Sequence, residues 1–253
     1  MHKLLVFDLD GTLAEVGKAM SNIDIEKLIE LEKIGYTIAI CSGKPSYYLC
    51  GFARQLGLQE PILVGENGAT FQFGIELPPK RYEVYPYSDV AKSQCNMMKA
   101  IIDRECGDKV WYQPNEVELS PFPKDEMTFE WLQQLIDEKR PLLDELLVYR
   151  HIDCFDLIPR NINKYNGLSY LTELLGLKAK DVISVGDGVN DIPMFEFADV
   201  AIGIIKNAAE GVDASADSVS TEHWQTGGIS ENYVDFIFAT IGEALDFIRE
   251  NKL

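Results

Sequence analysis

The sequence predicts an α/β fold: a doubly wound, mainly parallel sheet built from residues 1–80 and 161–253, interrupted by a small α+β insertion over residues 81–160. Three observations carry that expectation. Short apolar runs alternate with amphipathic stretches at both ends of the chain, which is the rhythm of βαβ units. The pair Pro78-Pro79 breaks the rhythm, and it resumes only past Pro159. Finally, Asp8, Ser42 and Asp187 each fall where an apolar run ends, and ligands of doubly wound sheets bind beyond those ends.

Leu4 to Phe7 reads as a buried strand ending at Asp8. Ile25, Leu28, Ile29 and Leu31 recur near helical spacing between Ile23 and Ile34, with Gly35 as a stop. Thr37 to Cys41 is a second strand, Pro45 sits where a helix can begin, and Ile62 to Val64 is a third strand. The insertion reads as an alternating stretch from Arg81 to Tyr85, a helix near Val90 to Arg104 and an extended run from Val110 to Leu119. A second helix near Phe129 to Asp137 and a strand through Cys154 to Ile158 complete it. Beyond it come strands at Asp181 to Val185 and Val200 to Ile202, then a closing helix over Phe236 to Ile248.

With 253 residues, 46% of them hydrophobic and 25% charged, the chain can bury a substantial core without disulfides or structural metals. Its net charge is −18, from 41 acidic and 23 basic residues, which disfavours nucleic acid and anionic membrane surfaces as partners. A small phosphorylated metabolite stays open, because local cations reverse the sign inside a pocket. Five cysteines without a CxxC pair, and an amino terminus that meets a charge at Asp8, predict reduced thiols in a cytoplasmic protein. His2, His151 and His223 show no metal-ligand spacing.

The chemistry concentrates in four short segments. Asp8 and Asp10, two apart in Asp8-Leu9-Asp10-Gly11-Thr12, point to the same side of an extended chain. Two close carboxylates repel unless a cation offsets them. Magnesium and a lysine would keep Asp8 ionised as a nucleophile, while Asp10 serves as acid and base. Gly11 turns the chain and Thr12 offers a hydroxyl to an anion; the plain alternative is an aspartate-rich turn. Ser42-Gly43 before a helix start forms an anion site, or simply a serine-capped turn. Lys164 supplies a cation for nucleophile and phosphoryl oxygens, unless it is an ordinary exposed lysine. In Asp187-Gly188-Val189-Asn190-Asp191, hard oxygen ligands suit magnesium: Asp187 on the metal, Asp191 orienting a ligand or metal-bound water, and Asn190 on phosphate. A calcium-like acidic turn is the alternative.

The order DxDGT, Ser-Gly, Lys, GDGxND resembles the haloacid dehalogenase superfamily of phosphatases. Ile62 to Ala69, with its Asn-Gly-Ala, is similar to the Cof-type, class IIB branch, whose cap domain lies between the second motif and the lysine. The resemblance implies a Rossmann-like core, an α/β cap, a magnesium ion and reaction through an aspartyl-phosphate. It implies Asp8 as nucleophile and metal ligand, and Asp10 as acid/base with its carbonyl on the metal. Ser42 and Lys164 would hold phosphate and Asp187 would complete the metal site. Where many relatives have Thr-Gly-Arg, this chain has Ser42-Gly43-Lys44, and lysine lacks the planar fork of arginine.

Substrate choice is expected from the insertion. Trp111, Gln113 and Asn115 share one extended run, with His151 as a further candidate, and aromatics beside amides suit a sugar phosphate. The alternatives are a phosphomutase of the same superfamily and a receiver-like regulatory module whose aspartate accepts phosphate as a signal. The acid at Asp10 and the insertion argue against the second.

Overall fold

A computed structural model describes residues 3–205 and 233–253, and the chain divides into two compact units. One is formed by the chain up to Val84 and from Asn163 onward; the other is Tyr85–Ile162.

The first unit is the expected α/β core. Its elements before the insertion are β1 (Leu4–Phe7), α1 (Asn22–Lys33), β2 (Thr37–Cys41), α2 (Ser46–Leu56), β3 (Ile62–Gly65), β4 (Thr70–Phe73) and β5 (Arg81–Val84). After it come α5 (Lys164–Leu175), β10 (Val182–Gly186), α6 (Ile192–Phe197), β11 (Val200–Ile204), β12 (Phe236–Phe238) and α7 (Ile241–Asn251). The eight strands form one sheet in the order β12-β11-β10-β1-β2-β3-β4-β5. Neighbours from β12 to β3 are parallel, and β4 and β5 add an antiparallel edge.

Parallel strands covered on both faces read as continuous apolar runs. Leu4, Leu5, Val6 and Phe7 are all fully buried, as are Ile40, Leu63 and Val185 in the neighbouring strands. Phe7 lies level with Ile40 on one side and Val185 on the other. Asp8 therefore leaves the sheet at the same edge as Ser42 and Asp187. Strand order runs outward in opposite directions from the β1–β10 pair, so this edge is also the topological switch point where such sheets bind ligands.

Three core expectations change. Phe236–Phe238 is a strand parallel to β11, and the closing helix starts at Ile241. Its start is set by a capping box: Thr240 Oγ1 accepts from the Glu243 N–H while Glu243 accepts from the Thr240 N–H. Arg81–Val84, expected in the insertion, pairs with β4 as the last strand of the large sheet. The strand it pairs with, Thr70–Phe73, had no counterpart in the sequence reading.

The second unit contains α3 (Asp89–Cys106), β6 (Val110–Tyr112), β7 (Pro121–Pro123), α4 (Glu126–Lys139), β8 (Leu146–Arg150) and β9 (Phe155–Pro159). Ser88 caps α3 and Asp125 caps α4 through side-chain oxygens. The two helices pack Met98, Ile102, Leu132 and Ile136 onto Phe155 and Leu157 of β9. Of the expected extended run over 110–119, only Val110–Tyr112 is a strand; Leu119 bridges to Leu157 of β9. Among the described residues no helix is long and apolar enough to cross a membrane.

Candidate active site

Asp8 sits one residue past β1, buried, with its backbone N–H donating to the Val185 carbonyl at 2.9 Å. Lys164 is the first residue of α5, whose cap is the Asn163 side chain accepting from the Asn166 N–H. The ammonium donates to Asp8 Oδ1 and to Asp191 Oδ1, both at 2.6 Å, and its side chain is 1% exposed. Burial disfavours the charge, and so does the positive end of the helix it starts. The carboxylates of Asp191 and Asp8 outweigh both and hold the Lys164 pKa above its ordinary value.

Asp191 is fully buried and uses both oxygens. Oδ1 takes the lysine, and Oδ2 accepts from the N–H groups of Asp187 and Gly188 at 2.9 and 3.0 Å. It therefore fixes both the cation and the turn that carries Asp187. Gly186 is what lets it approach: a Cβ there would lie 2.5 Å from Asp191 Oδ2.

Asp8, Asp187 and Asp191 each offer a carboxylate oxygen within 4.8 Å of the others. Three carboxylates face one ammonium. Burial, then Asp191, push the Asp8 pKa well above the ordinary carboxylate range, with Asp187 adding to the effect and Lys164 opposing it. An oxygen-only donor set with surplus negative charge is the chemistry a hard divalent cation fits, magnesium above all. Cys41, fully buried at the end of β2, is pushed up to about 12 by its burial, so the thiol stays protonated.

Gly11 is required here on two counts. Its φ is +97°, and a Cβ would meet the Asp187 carboxylate at 2.2 Å. Gly11→Ala is expected to destabilise the core by about 1–3 kcal/mol through strain. It should also displace Asp187 and so weaken binding of a divalent cation at the acidic cluster by about 10–100-fold. A magnesium titration followed by melting temperature checks this; an unchanged affinity would mean that Asp187 holds no cation.

Thr12, expected on phosphate, instead donates its hydroxyl to Asp187 Oδ1 at 2.7 Å. A hydroxyl has one hydrogen to give, and here the Asp187 carboxylate takes it. Asn190 is exposed, and its Oδ1 folds back over Gly188, within 2.4 Å of where a Cβ would stand. Ser42 Oγ accepts from the Lys44 N–H at 3.3 Å. Gly43 lies against the Asn67 side chain. Asp10 is half-buried, and Lys44 Nζ stands 3.6 Å from its Oδ2, a single point charge where an arginine would present a planar fork.

The Glu66-Asn67-Gly68 segment lies between β3 and β4. Its physical role is to clamp. Glu66 and Asn67 both have positive φ, a strained pair that lets their N–H groups reach the carbonyls of Lys44 and Ser42 at 3.1 and 3.0 Å. Gly68 in turn touches α5: a Cβ on Gly167 would lie 2.5 Å from the Gly68 Cα. One loop thus sets the Ser42 turn and the Lys164 helix against each other. The Asn-Gly pair was the available signal, since Asn and Gly are the residues that tolerate left-handed backbone.

This arrangement, a buried aspartate bridged by a lysine to a metal-suited acidic turn at the switch point of a parallel sheet, matches a known family. The family model of the haloacid dehalogenase-like hydrolases matches residues 5–77 and 123–232. The chain belongs to that family. A phosphoglycolate phosphatase of Methanopyrus kandleri is 27% identical over 87% of this chain and 90% of its own length. A 5-amino-6-(5-phospho-D-ribitylamino)uracil phosphatase of Bacillus subtilis is 24% identical over 89% and 92%. Among solved structures, a haloacid dehalogenase-like hydrolase from Bacteroides thetaiotaomicron superposes with a TM-score of 0.71, at 20% identity, over 98% of this chain and 100% of that one.

The remaining expected residues lie in the second unit. Trp111, on β6, is 52% exposed and packs edge-on against Phe122 at 5.1 Å between centroids. Gln113 Nε2 donates to Asn115 Oδ1 at 2.8 Å, and Asn115 Nδ2 donates to Ser120 Oγ at 3.0 Å, so these amides order their own turn. His151 Nε2 is 2.9 Å from Asp156 Oδ2. His2 and His223 lie outside the described residues.

Proposed function

We propose that this protein is a magnesium-dependent phosphatase that hydrolyses a small phosphomonoester, a sugar phosphate first among them, through an aspartyl-phosphate on Asp8. Its class, a phosphoric monoester hydrolase, follows from the family and the phosphatases among its relatives. The finer reading rests chiefly on one observation: the buried Lys164 ammonium bridging Asp8 and Asp191 at 2.6 Å beside Asp187.

In the first step an Asp8 carboxylate oxygen attacks phosphorus in line, the bond from phosphorus to the leaving oxygen breaks, and Asp10 protonates that oxygen. In the second, Asp10 takes a proton from water, whose oxygen attacks phosphorus and frees Asp8 with release of inorganic phosphate. Magnesium, held by Asp8 and Asp187 with the Asp10 carbonyl, would supply positive charge to the phosphoryl oxygens and to Asp8. Lys164 keeps Asp8 oriented and charged, Thr12 and Asp191 hold Asp187 and its turn, and Ser42 with the Gly43 N–H receives the phosphoryl group. Acid/base help typically supplies about 10²–10⁴ of an acceleration that reaches ~10²¹ for this reaction class. Charge neutralisation and positioning must supply most of the rest.

The second unit is the proposed cap that selects the leaving group, with Trp111, Gln113, Asn115 and His151 as candidate contacts; all five cysteines are free thiols, which suits a cytoplasmic setting. The test is phosphate release from p-nitrophenyl phosphate and from a panel of phosphorylated metabolites. EDTA should reduce turnover to background, magnesium should restore it, and calcium, which relaxes the octahedral geometry, should not. Full activity in EDTA would remove the metal from the mechanism. A flat profile across sugar phosphates would remove the sugar assignment while leaving the phosphatase.

A further inference from the structure

We propose that the β8–β9 turn of the second unit is a transition-metal site, with zinc as its best occupant, held by His151, Cys154 and Asp156. The hairpin explains why these three meet. The His151 N–H donates to the Cys154 carbonyl at 2.9 Å, continuing the register in which Arg150 faces Phe155 and Tyr149 faces Asp156. Residues opposite one another across an antiparallel pair share a face, and so do residues two apart along a strand. His151, opposite Cys154, and Asp156, two beyond it, therefore stand on one face. Phe155 and Leu157 point the other way, into the core of the unit, and anchor the strand.

One ligand atom from each of the three lies within 4.8 Å of the other two. Bonds of about 2.0–2.3 Å in a tetrahedral site put ligand atoms roughly 3.3–3.8 Å apart, so zinc needs only a small opening of the 2.9 Å His151–Asp156 distance. The donor chemistry differs in kind from that at Asp8. One imidazole, one thiolate and one carboxylate select a borderline-soft ion, whereas the catalytic cluster offers oxygen alone. A two-residue gap between ligands in a tight turn is also a recurrent zinc spacing. That spacing, His-x-x-Cys, is legible in the sequence as His151-Ile152-Asp153-Cys154. Cys154 is buried, while the His151 and Asp156 side chains are 19% and 22% exposed. The sulfur is thus shielded while the other two ligands admit the ion from solvent. Three protein ligands leave a fourth position for water or an incoming group.

The site stands or falls independently of the phosphatase reading. The rival is an ordinary His151–Asp156 hydrogen bond that pins the hairpin and asks nothing of Cys154. Cobalt(II) added to the full-length protein in excess magnesium separates them. The proposal expects a thiolate-to-cobalt charge-transfer band in the near ultraviolet, with tetrahedral visible bands, and their displacement by zinc. Cys154→Ser should abolish the charge-transfer band, Asp156→Asn should weaken binding at least tenfold, and Asp8→Asn should change neither. A missing band, or one that survives Cys154→Ser, overturns the proposal. So does wild-type cobalt affinity in both Asp156→Asn and His151→Asn, whose partly exposed positions keep the test available if the serine variant fails to fold.

Discussion

Asp8→Asn is expected to lower phosphate release by ~10⁵-fold or more, the scale seen when a nucleophile is removed from a preorganised site. The amide keeps the size of the carboxylate but neither attacks phosphorus nor carries charge to a metal. The variant should nonetheless stay folded, and the sign of its stability change is itself informative. Burial and the neighbouring Asp191 raise the Asp8 pKa in the folded protein. A carboxyl with a raised folded-state pKa contributes stability that is fully present below its unfolded pKa and is lost as pH rises through the folded value. Without divalent metal, the wild type therefore loses stability across that window, and Asp8→Asn does not. At neutral pH in EDTA the variant should melt no lower than the wild type. Magnesium should raise the melting temperature of the wild type more than that of the variant. Calorimetry with and without the metal measures both. A variant that retains substantial turnover would end the covalent mechanism.

Lys164→Met carries the second large effect, and here stability moves the other way. Methionine fills similar volume, yet it leaves Asp8 and Asp191 buried without the ammonium that reaches each at 2.6 Å. Removing one partner of a buried ion pair typically costs about 3–5 kcal/mol, which in a core of this size is roughly 10 °C in melting temperature. Turnover should fall by about 10³-fold or more, since both the orientation of Asp8 and a cation beside the transferring group are lost. Magnesium should recover part of the stability and little of the rate, because a metal offsets charge at Asp8 but leaves Asp191 unpaired. A variant with wild-type turnover would reduce Lys164 to a structural residue.

Much of the core was legible because buried parallel strands have a simple signature. Leu4 to Phe7, Thr37 to Cys41 and Ile62 to Val64 are continuous apolar runs, and each ends near a residue of the site. Shorter or half-buried segments were less legible. Phe236–Phe238 is compatible with a strand or a helix start until the Thr240–Glu243 capping box is noticed. The alternation at Arg81–Val84 correctly signals a strand but cannot say which sheet it joins; pairing with Thr70–Phe73 decides that. At the site, residue types and their order singled out Asp8, Lys164, Asp187 and Asp191, and the fold brings these four together. Hydrogen-bond partners were not legible in the same way. Thr12 serves Asp187 because the two strands lie side by side, a fact of topology rather than of local sequence. Gln113 likewise donates to Asn115 and Asn115 to Ser120, which no spacing argument anticipates.

The central claim is that the phosphoryl group passes to Asp8 before it passes to water. The stereochemical course at phosphorus tests it most directly, with an isotopically chiral phosphomonoester as substrate and the configuration of the product phosphate as the readout. Two in-line displacements, at Asp8 and then from it, predict net retention. Net inversion would mean that water attacks the substrate in a single step, and Asp8 would then hold the metal without being the nucleophile.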